Sequence, residues 1–396
     1  MARKKETVVD LSDEGIKKSM SNLMTSIDDM CGNFSSWLTD SSTNVEKYDD
    51  TGCYMLNALL SGNFKGGFPE GRTSLLAAPS QTGKSFIALK AAALAQKAGK
   101  TIIIFDSEGA IDKSFAKKMG LDVSRVKRIS TPTVEHCKNT LYAILQNIYK
   151  NGLNGKIMII LDSLGALSTE MDFNRMERGS DSQDMGSLAK AAKSMLKMAN
   201  FYCSATQTTM IITNHIYDNP SQMFPSIDKD MPGGRAARYM PSVVCQLSHT
   251  KIKVDDQLVK VDDSSTTLGS GFTGIKITGM AVKNRIVKPY IKGDFALSWE
   301  RGLSKYYGLL DLSKEFGLIT VGGAGMYKIT IDVPEMGLKA GDSVGRAKEL
   351  NTYDSHSDFW EKFLPVLQKK IDEEWTYKTH EVEDEYDEDM EVDEED

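Results

Sequence analysis

Residues 78–85 read Ala-Pro-Ser-Gln-Thr-Gly-Lys-Ser, between an apolar, strand-like run at 73–77 and a helical run at 86–98. This order of strand, loop and helix is typical of a phosphate-binding loop, although alanine replaces the usual first glycine. Lys84 is expected to reach the β- and γ-phosphates of a nucleotide and Ser85 to hold Mg²⁺. The alternative is a chance Gly-Lys-Ser in a surface turn. The predicted nucleotide-binding residues of the loop are Ala78, Pro79, Ser80, Gln81, Thr82, Gly83, Lys84 and Ser85.

Two further apolar runs end in carboxylates of the kind that triphosphate hydrolysis requires. Asp162 follows the run 157–161, and such an aspartate typically holds Mg²⁺ together with the serine of the loop. Glu108 lies just past the run 101–105, and we expect it to accept a proton from the water that attacks the γ-phosphate. The alternative for Glu108 is a solvated side chain or a cap of the next helix. Together these residues predict hydrolysis of a nucleoside triphosphate.

Three more polar side chains are candidates for sensing or stabilising phosphate charge. His215 ends the fourth apolar run and no other histidine lies near it with metal-ligand spacing, so a γ-phosphate sensor or a structural role is favoured over a metal ligand. Lys283 and Arg285 lie two positions apart, on one face of an extended segment. Cations supplied in trans can stabilise a transferring phosphoryl group, and a solvated basic edge is the alternative.

Between residues 52 and 300 apolar runs alternate with helical stretches. This favours an α/β fold with a mostly parallel central sheet and helices on both faces. A small helical segment and linker are expected over 1–50, the core over 51–300, and a small mixed domain over 301–380. The expected strands of the core are 73–77, 101–105, 157–161, 210–213, 242–247 and 275–282, and its expected helices are 84–98, 133–150 and 186–205.

The charge is distributed unevenly along the chain. Residues 381–396 hold 12 acidic and no basic side chains, and the other 380 residues hold 48 basic and 43 acidic ones, so a body of about +5 precedes a tail too acidic to pack. This asymmetry favours a nucleic-acid partner, and a merely solubilising tail is the alternative. No apolar run reaches the length of a membrane span, and the five scattered cysteines are expected to be reduced in the cytoplasm.

Two long polar stretches, 168–185 and 216–234, directly follow strands of the predicted sheet. Both are loop-like stretches between stronger elements, so both are expected to be loops. Long loops in a compact domain are usually functional, and ligands of parallel sheets gather at the carboxyl ends of the strands. We therefore expect both stretches to contact a ligand, with surface decoration as the alternative.

From about Thr51 to Gly317 the chain resembles the RecA family of DNA-strand-exchange recombinases, and it is most similar to those of T4-type bacteriophages. The residues around 51–62 and 66–72 resemble the family's approach to the phosphate loop. The resemblance implies ATP and Mg²⁺ as cofactors and a helical filament on single-stranded DNA. Residues 1–50, which match the family only weakly, are expected to contact another protomer. The resemblance also implies pairing with duplex DNA, strand exchange, single-strand-binding and loader proteins as partners, no membrane, and the host cytoplasm for a phage-encoded protein.

The same resemblance implies roles for individual residues. Glu108 matches the residue that activates water, and His215 matches a γ-phosphate sensor that is usually glutamine. Asp112 and Phe115 match positions beside the nucleotide base. The implied catalytic residues are Glu108, Lys84, His215, Lys283 and Arg285, of which the last two match cations that reach the neighbouring protomer's nucleotide.

The stretches 168–185 and 216–234 match the family's two DNA-binding loops. Met-Gly and Gly-Gly pairs stand where the family has similar pairs, and the resemblance implies that Met223 and Phe224 wedge between bases. The implied DNA-binding residues are Arg175, Arg178, Met185, Gly186, Met223, Phe224, Gly233, Gly234 and Arg235.

Two other classes of protein share a core of this type. A hexameric helicase or translocase would need a substantial extra domain, and only about 50 residues precede the core. A non-catalytic recombinase paralogue that acts as a mediator is disfavoured by the intact Lys84, Ser85, Glu108 and Asp162. Formation of homology-dependent joint molecules would separate a recombinase from both.

Overall fold

The computed structural model describes residues 13–31, 45–178, 186–217, 229–252, 274–351 and 357–377. The chain divides into two compact units, Met1–Asn44 and Val45–Asp396. In the first unit a single helix is described, α1 (Asp13–Cys31), whose exposed apolar side chains include Ile16, Met20 and Leu23. The acidic stretch 381–396 lies outside the described residues.

Over residues 73–214 the strands of the second unit alternate with helices, as the sequence predicts, whereas the strands over 243–303 follow one another without a helix between them. In chain order the strands are β1 (Tyr48–Asp49), β2 (Phe68–Pro69), β3 (Thr73–Ala77), β4 (Thr101–Asp106), β5 (Val126–Ser130), β6 (Ile157–Asp162), β7 (Thr209–Asn214), β8 (Val243–Ile252), β9 (Gly274–Asn284), β10 (Lys292–Ser298), β11 (Gly302–Leu303), β12 (Ile319–Val321), β13 (Met326–Ile329) and β14 (Ser343–Arg346). The helices are α2 (Tyr54–Ser61), α3 (Lys84–Lys97), α4 (Lys113–Lys118), α5 (Val134–Lys150), α6 (Glu170–Glu177), α7 (Ser187–Thr206), α8 (Gly234–Tyr239), α9 (Leu309–Glu315), α10 (Ala347–Leu350) and α11 (Ser357–Glu374).

The described residues form a nine-stranded central sheet in the order β11-β10-β9-β8-β3-β7-β6-β4-β5. Strands β8, β3, β7, β6, β4 and β5 run parallel, and β9, β10 and β11 continue the sheet as antiparallel strands. The α/β fold with a mostly parallel sheet is therefore confirmed. Because parallel strands end at one edge, Ala77 pairs with Asn214 and Asp106 with Asp162 at that edge.

Helices cover both faces of this sheet, because successive side chains of a buried strand point to opposite faces. On β3, Leu76 packs into an apolar cluster with α2 and α3, whereas Leu75 and Ala77 pack into a second cluster with α5 and α7. The residues between 309 and 375 extend the first cluster, since Trp360, Phe363 and other side chains of that segment belong to it. The C-terminal segment thus shares one apolar core with α2 and α3.

Three features of the fold differ from the sequence-based expectation. Strand β5 has no apolar run to reveal it, because it lies at the sheet edge with its side chains exposed or half-buried. The stretch 168–185 is not a loop throughout, since α6 forms over 170–177. Thr169 explains this start: its Oγ accepts a hydrogen bond from Asp172 N at 3.1 Å and donates one to Asp172 Oδ2 at 2.7 Å. The antiparallel end of the sheet, β10 and β11, was likewise not predicted.

No helix among the described ranges is both long enough and apolar enough to cross a membrane. Four cysteines, Cys53, Cys137, Cys203 and Cys245, are buried and unpaired. Burial raises the pKa of each of these thiols to about 12. They therefore stay as thiols packed in the core.

Candidate active site

A cavity of about 590 Å³ opens at the carboxyl edge of the parallel strands. The phosphate loop, the end of β6 and the segments after β4 and β7 contribute to its lining. It brings together many of the residues that the sequence predicts for the nucleotide site. The lining residues are Ser80, Gln81, Gly83, Lys84, Ser85, Phe86, Glu108, Ala110, Ile111, Phe115, Lys118, Met119, Asp162, His215, Leu297 and Trp299.

The phosphate loop is held in a tight turn between β3 and α3. Gln81 and Gly83 adopt positive φ angles of 62° and 88°. The positive φ at Gly83 favours glycine, and a Cβ there would lie 2.8 Å from Leu297 Cδ2, so that side chain would also have to move. Thr82 is fully buried behind the loop, and its Oγ1 lies 2.9 Å from His249 Nδ1 on β8.

Lys84 lies across the loop rather than in solvent. Its Nζ donates hydrogen bonds to the carbonyl oxygens of Ala78 and Pro79, both at 3.0 Å. Burial lowers the pKa of Lys84, and the carboxylates of Asp162 and Glu108 oppose that shift. The ammonium group is thus desolvated and close to where phosphate oxygens would lie.

Asp162, at the end of β6, has the surroundings of a metal-binding carboxylate. Its side chain is hydrogen-bonded to Ser85, and Thr213 Oγ1 donates to its Oδ1 at 2.5 Å. Burial raises the pKa of Asp162, and the nearby charges of Glu108 and Asp106 add to the shift. A cation would relieve this crowding of negative charge, and the oxygens of Ser85 and Asp162 are the ligands that Mg²⁺ prefers.

Glu108 projects into the same cavity from the segment after β4. Its Oε1 accepts a hydrogen bond from Ser163 Oγ at 2.7 Å and lies 3.1 Å from His215 Nε2. Burial acts to raise the pKa of Glu108, but the hydrogen bonds from Ser163 and His215 and the charge of Lys84 outweigh it, so the pKa is lowered. The carboxylate is therefore ionised at neutral pH, as a proton acceptor must be.

Asp106 shapes the segment that carries Glu108, and sequence reasoning missed it. Its Oδ1 accepts hydrogen bonds from Glu108 N at 3.2 Å and Gly109 N at 2.8 Å. Its Oδ2 pairs with Arg128 Nη2 on β5 at 2.6 Å. An aspartate followed closely by glycine is a signal for such a side-chain-capped turn, but the arginine partner lies on the strand that the sequence does not reveal.

Part of the cavity lining is apolar and aromatic. Phe115, Met119, Leu297 and Trp299 contribute to it, and Trp299 is 56% exposed. Trp299 follows β10, so only the pairing of β8, β9 and β10 brings it to the phosphate loop. Asp112 is not among the lining residues; it caps α4, where its Oδ1 accepts from Phe115 N at 2.7 Å.

Lys283 and Arg285 lie apart from the lining of this cavity, on and just beyond β9. Lys283 Nζ donates to the carbonyl oxygens of Tyr239 and, at 2.6 Å, Pro241, just beyond α8. Burial and the charge of Arg285 lower the pKa of Lys283 to about 8. A contact of these cations with a neighbouring protomer's nucleotide stays a prediction.

The predicted DNA-binding residues belong to the two stretches of sequence that follow β6 and β7 and to the starts of the helices after them. Arg175 lies on α6, where its Nη1 is 3.7 Å from Asp172 Oδ1, and Arg178 is exposed just after that helix. Gly186 caps α7, and Gly233 and Gly234 have positive φ angles of 83° and 58° at the start of α8, which includes Arg235. Met185, Met223 and Phe224 lie outside the described residues.

Comparisons with known proteins agree with this architecture. Residues 18–304 match the RecA N-terminal domain model. The RecA protein of Mycoplasma genitalium is 28% identical over 65% of this chain and 69% of its own length. That of Acholeplasma laidlawii is 26% identical over 71% and 80%, and that of Bacteroides thetaiotaomicron is 28% identical over 72% and 78%. Because the family model matches well over half of the sequence, this chain belongs to the RecA family.

Proposed function

We propose that this chain is an ATP-dependent recombinase that forms helical filaments on single-stranded DNA and catalyses homologous pairing and strand exchange. Family membership supports a role in recombination in general. The observation that carries the proposal is the single cavity that joins the phosphate loop to Asp162, Glu108 and His215. Asp162 ends β6 and His215 follows β7, and these two strands lead directly into the two candidate DNA-binding segments.

The nucleotide would bind with its phosphates on the phosphate loop and its base against the apolar side chains that line the cavity. Lys84 would exchange its two carbonyl partners for phosphate oxygens, which are stronger acceptors for an ammonium group. Phe115 and Trp299 offer flat apolar surfaces for a purine base. Ser85 and Asp162 would hold Mg²⁺, which supplies neutralisation of phosphate charge when bound.

Hydrolysis would begin with a water molecule placed between the γ-phosphate and Glu108. The ionised carboxylate of Glu108 would accept the proton of this water as it attacks phosphorus. His215 contacts the same carboxylate at 3.1 Å. It is therefore well placed to respond both to the γ-phosphate and to the state of the base.

DNA would be bound by the segments that follow β6 and β7. Asn214, at the end of β7, donates a hydrogen bond to the carbonyl oxygen of Pro232 at 3.0 Å. This contact links the nucleotide side of β7 to the pair Gly233 and Gly234. Binding of ATP beside the end of β7 and binding of DNA to the segment around Gly233 would in this way influence each other. Lys283 and Arg285 would complete the nucleotide site of a neighbouring protomer across the filament interface.

The finer assignment, to the recombinases of T4-type bacteriophages that act in the host cytoplasm with single-strand-binding and loader proteins, is also a proposal. It is supported by the Asn214-His215 pair. The rival function is a RecA-fold helicase or translocase, or a mediator without strand-exchange activity.

The deciding experiment mixes the protein with a circular single strand, a homologous linear duplex, ATP and Mg²⁺. We expect joint molecules and nicked circular product, with neither formed from a heterologous duplex. Hydrolysis of ATP without joint molecules would refute the proposal and favour a translocase. Absence of both hydrolysis and joints would favour a mediator.

A further inference from the structure

Both hydrogen bonds that the described residues make to the Glu108 carboxylate go to one oxygen. Ser163 Oγ donates to Oε1 at 2.7 Å, and His215 Nε2 lies 3.1 Å from the same atom. The second oxygen, Oε2, is left for another partner. Nothing in the sequence singles out Ser163, since its partner lies 55 residues away on a neighbouring strand end.

The position of Ser163 is fixed more firmly than that of His215. Ser163 is fully buried. Its backbone N–H donates to Ser107 Oγ, and its carbonyl oxygen accepts from the same hydroxyl, both at 2.7 Å. The His215 side chain, by contrast, is 36% exposed. Ser163 is thus a neutral, buried donor, whose contact with Glu108 does not depend on its own ionisation.

The register of the sheet explains why these residues meet. Asp106 of β4 pairs with Asp162 of β6, so the residues that follow the two strands, Ser107 and Glu108 on one and Ser163 on the other, lie side by side. The Asp106 carboxylate fixes the backbone of Glu108, and the Ser163 hydroxyl fixes the end of its side chain. With both ends held, the carboxylate loses the rotation that would otherwise spread Oε2 over many directions.

We propose that Ser163 is a positioning residue for hydrolysis: it occupies Oε1 of Glu108 and so directs Oε2 to the attacking water. This inference rests on the proposed function, in which Glu108 is the general base. A proton passes from water to Oε2, the water oxygen bonds to the γ-phosphorus, and the bond from phosphorus to the leaving diphosphate oxygen breaks. Ser163 keeps its proton throughout and does not touch the reacting atoms.

The first test is steady-state ATP hydrolysis with saturating single-stranded DNA. Ser163→Ala should lower kcat by on the order of 10- to 100-fold, the usual value of a hydrogen bond to a charged group, while KM for ATP changes less than about 3-fold. Ser163→Thr keeps the hydroxyl and should recover most of the rate. Ser74→Ala is the matched control, because Ser74 is a fully buried serine of β3 whose Oγ has no partner among the described residues.

A double-mutant cycle with Glu108→Gln separates this role from a structural one. If Ser163 acts through Glu108, adding Ser163→Ala to Glu108→Gln should slow hydrolysis no further. Two results would overturn this inference alone. One is a wild-type kcat for Ser163→Ala, and the other is a double variant that is slower than Glu108→Gln by the full factor that Ser163→Ala causes in the wild-type enzyme. A Glu108→Gln enzyme at wild-type rate would overturn the proposed role of Glu108 as well. Should Ser163→Ala fold poorly, Ser163→Cys keeps the volume with a weaker donor, and kcat must still fall at unchanged KM.

Discussion

Replacing Glu108 by glutamine tests the chemistry of the site most directly. The amide keeps the size of the side chain. Its oxygen can still accept hydrogen bonds from Ser163 and His215, which lie 2.7 and 3.1 Å from Glu108 Oε1 in the wild-type protein. What is lost is the negative charge and the ability to take a proton. A positioned proton acceptor is worth roughly 10²–10⁴-fold in rate, or about 2.7–5.5 kcal/mol in the activation free energy.

The expected outcome is therefore a fall in kcat by about 10²–10⁴-fold with ATP affinity retained. The loss of hydrolysis should also lengthen the lifetime of filaments on single-stranded DNA. The measurements are phosphate release with saturating single-stranded DNA, equilibrium binding of a fluorescent ATP analogue, and dissociation of the protein from labelled DNA. Glu335→Gln, an exposed glutamate of the C-terminal segment, is the control for the loss of one surface charge.

The pH dependence gives a second measurement on the same variant. The pKa of Glu108 is lowered from 4.5, so the carboxylate stays ionised down to more acidic pH than an ordinary glutamate. In the wild-type protein, kcat should stay constant down to a pH below 4.5 and fall only where Glu108 takes a proton. The Gln variant should lack this acid limb. Turnover near the wild-type rate would refute the assignment, because another group would then orient and deprotonate the water.

Three further changes test the rest of the site. Lys84→Ala should abolish productive ATP binding, because the phosphates lose their main cationic partner; DNA binding that keeps its full ATP-dependence would contradict the nucleotide site. The double variant Lys283→Ala, Arg285→Ala should lose DNA-stimulated hydrolysis, and mixing it with inactive Lys84→Ala should restore some activity if protomers share sites; a mixture that stays inactive would count against shared sites. Deletion of 381–396 removes 12 acidic residues and leaves a chain with a net charge of about +5, so duplex DNA should bind more tightly at low salt; equal affinities of full-length and truncated protein would show that the segment does not compete with DNA.

Much of the active site could be predicted from the sequence, because its signals are local. The loop at 78–85 is recognisable from residue types and spacing, and Asp162 and Glu108 are recognisable because each closes or follows an apolar run. The parallel strands of a sheet end at one edge, so these groups had to lie along the same edge of the sheet. The structure puts Lys84, Ser85, Glu108, Asp162 and His215 around one cavity.

Local pattern was also misleading where tertiary contacts outweigh it. The stretch after β6 is rich in polar side chains, which predicts a loop, yet α6 forms there because Thr169 and Asp172 cap its first turn. The edge strand β5 has no buried side and therefore no apolar run. Both elements depend on hydrogen bonds that a hydrophobic pattern does not register.

The sequence alone determined the apolar strands β3, β4, β6, β7, β8 and β9, the place of the phosphate loop, and the polar side chains that stand at strand ends. Only the tertiary structure decided which strand ends are neighbours. The pairing of β4 with β6 brings Ser163 to Glu108, and the antiparallel strands β9 and β10 bring Trp299 to the cavity beside the phosphate loop. The physical reason is that periodicity and capping act within a few residues of the chain, whereas the order and register of strands minimise the free energy of the whole sheet and its two apolar cores.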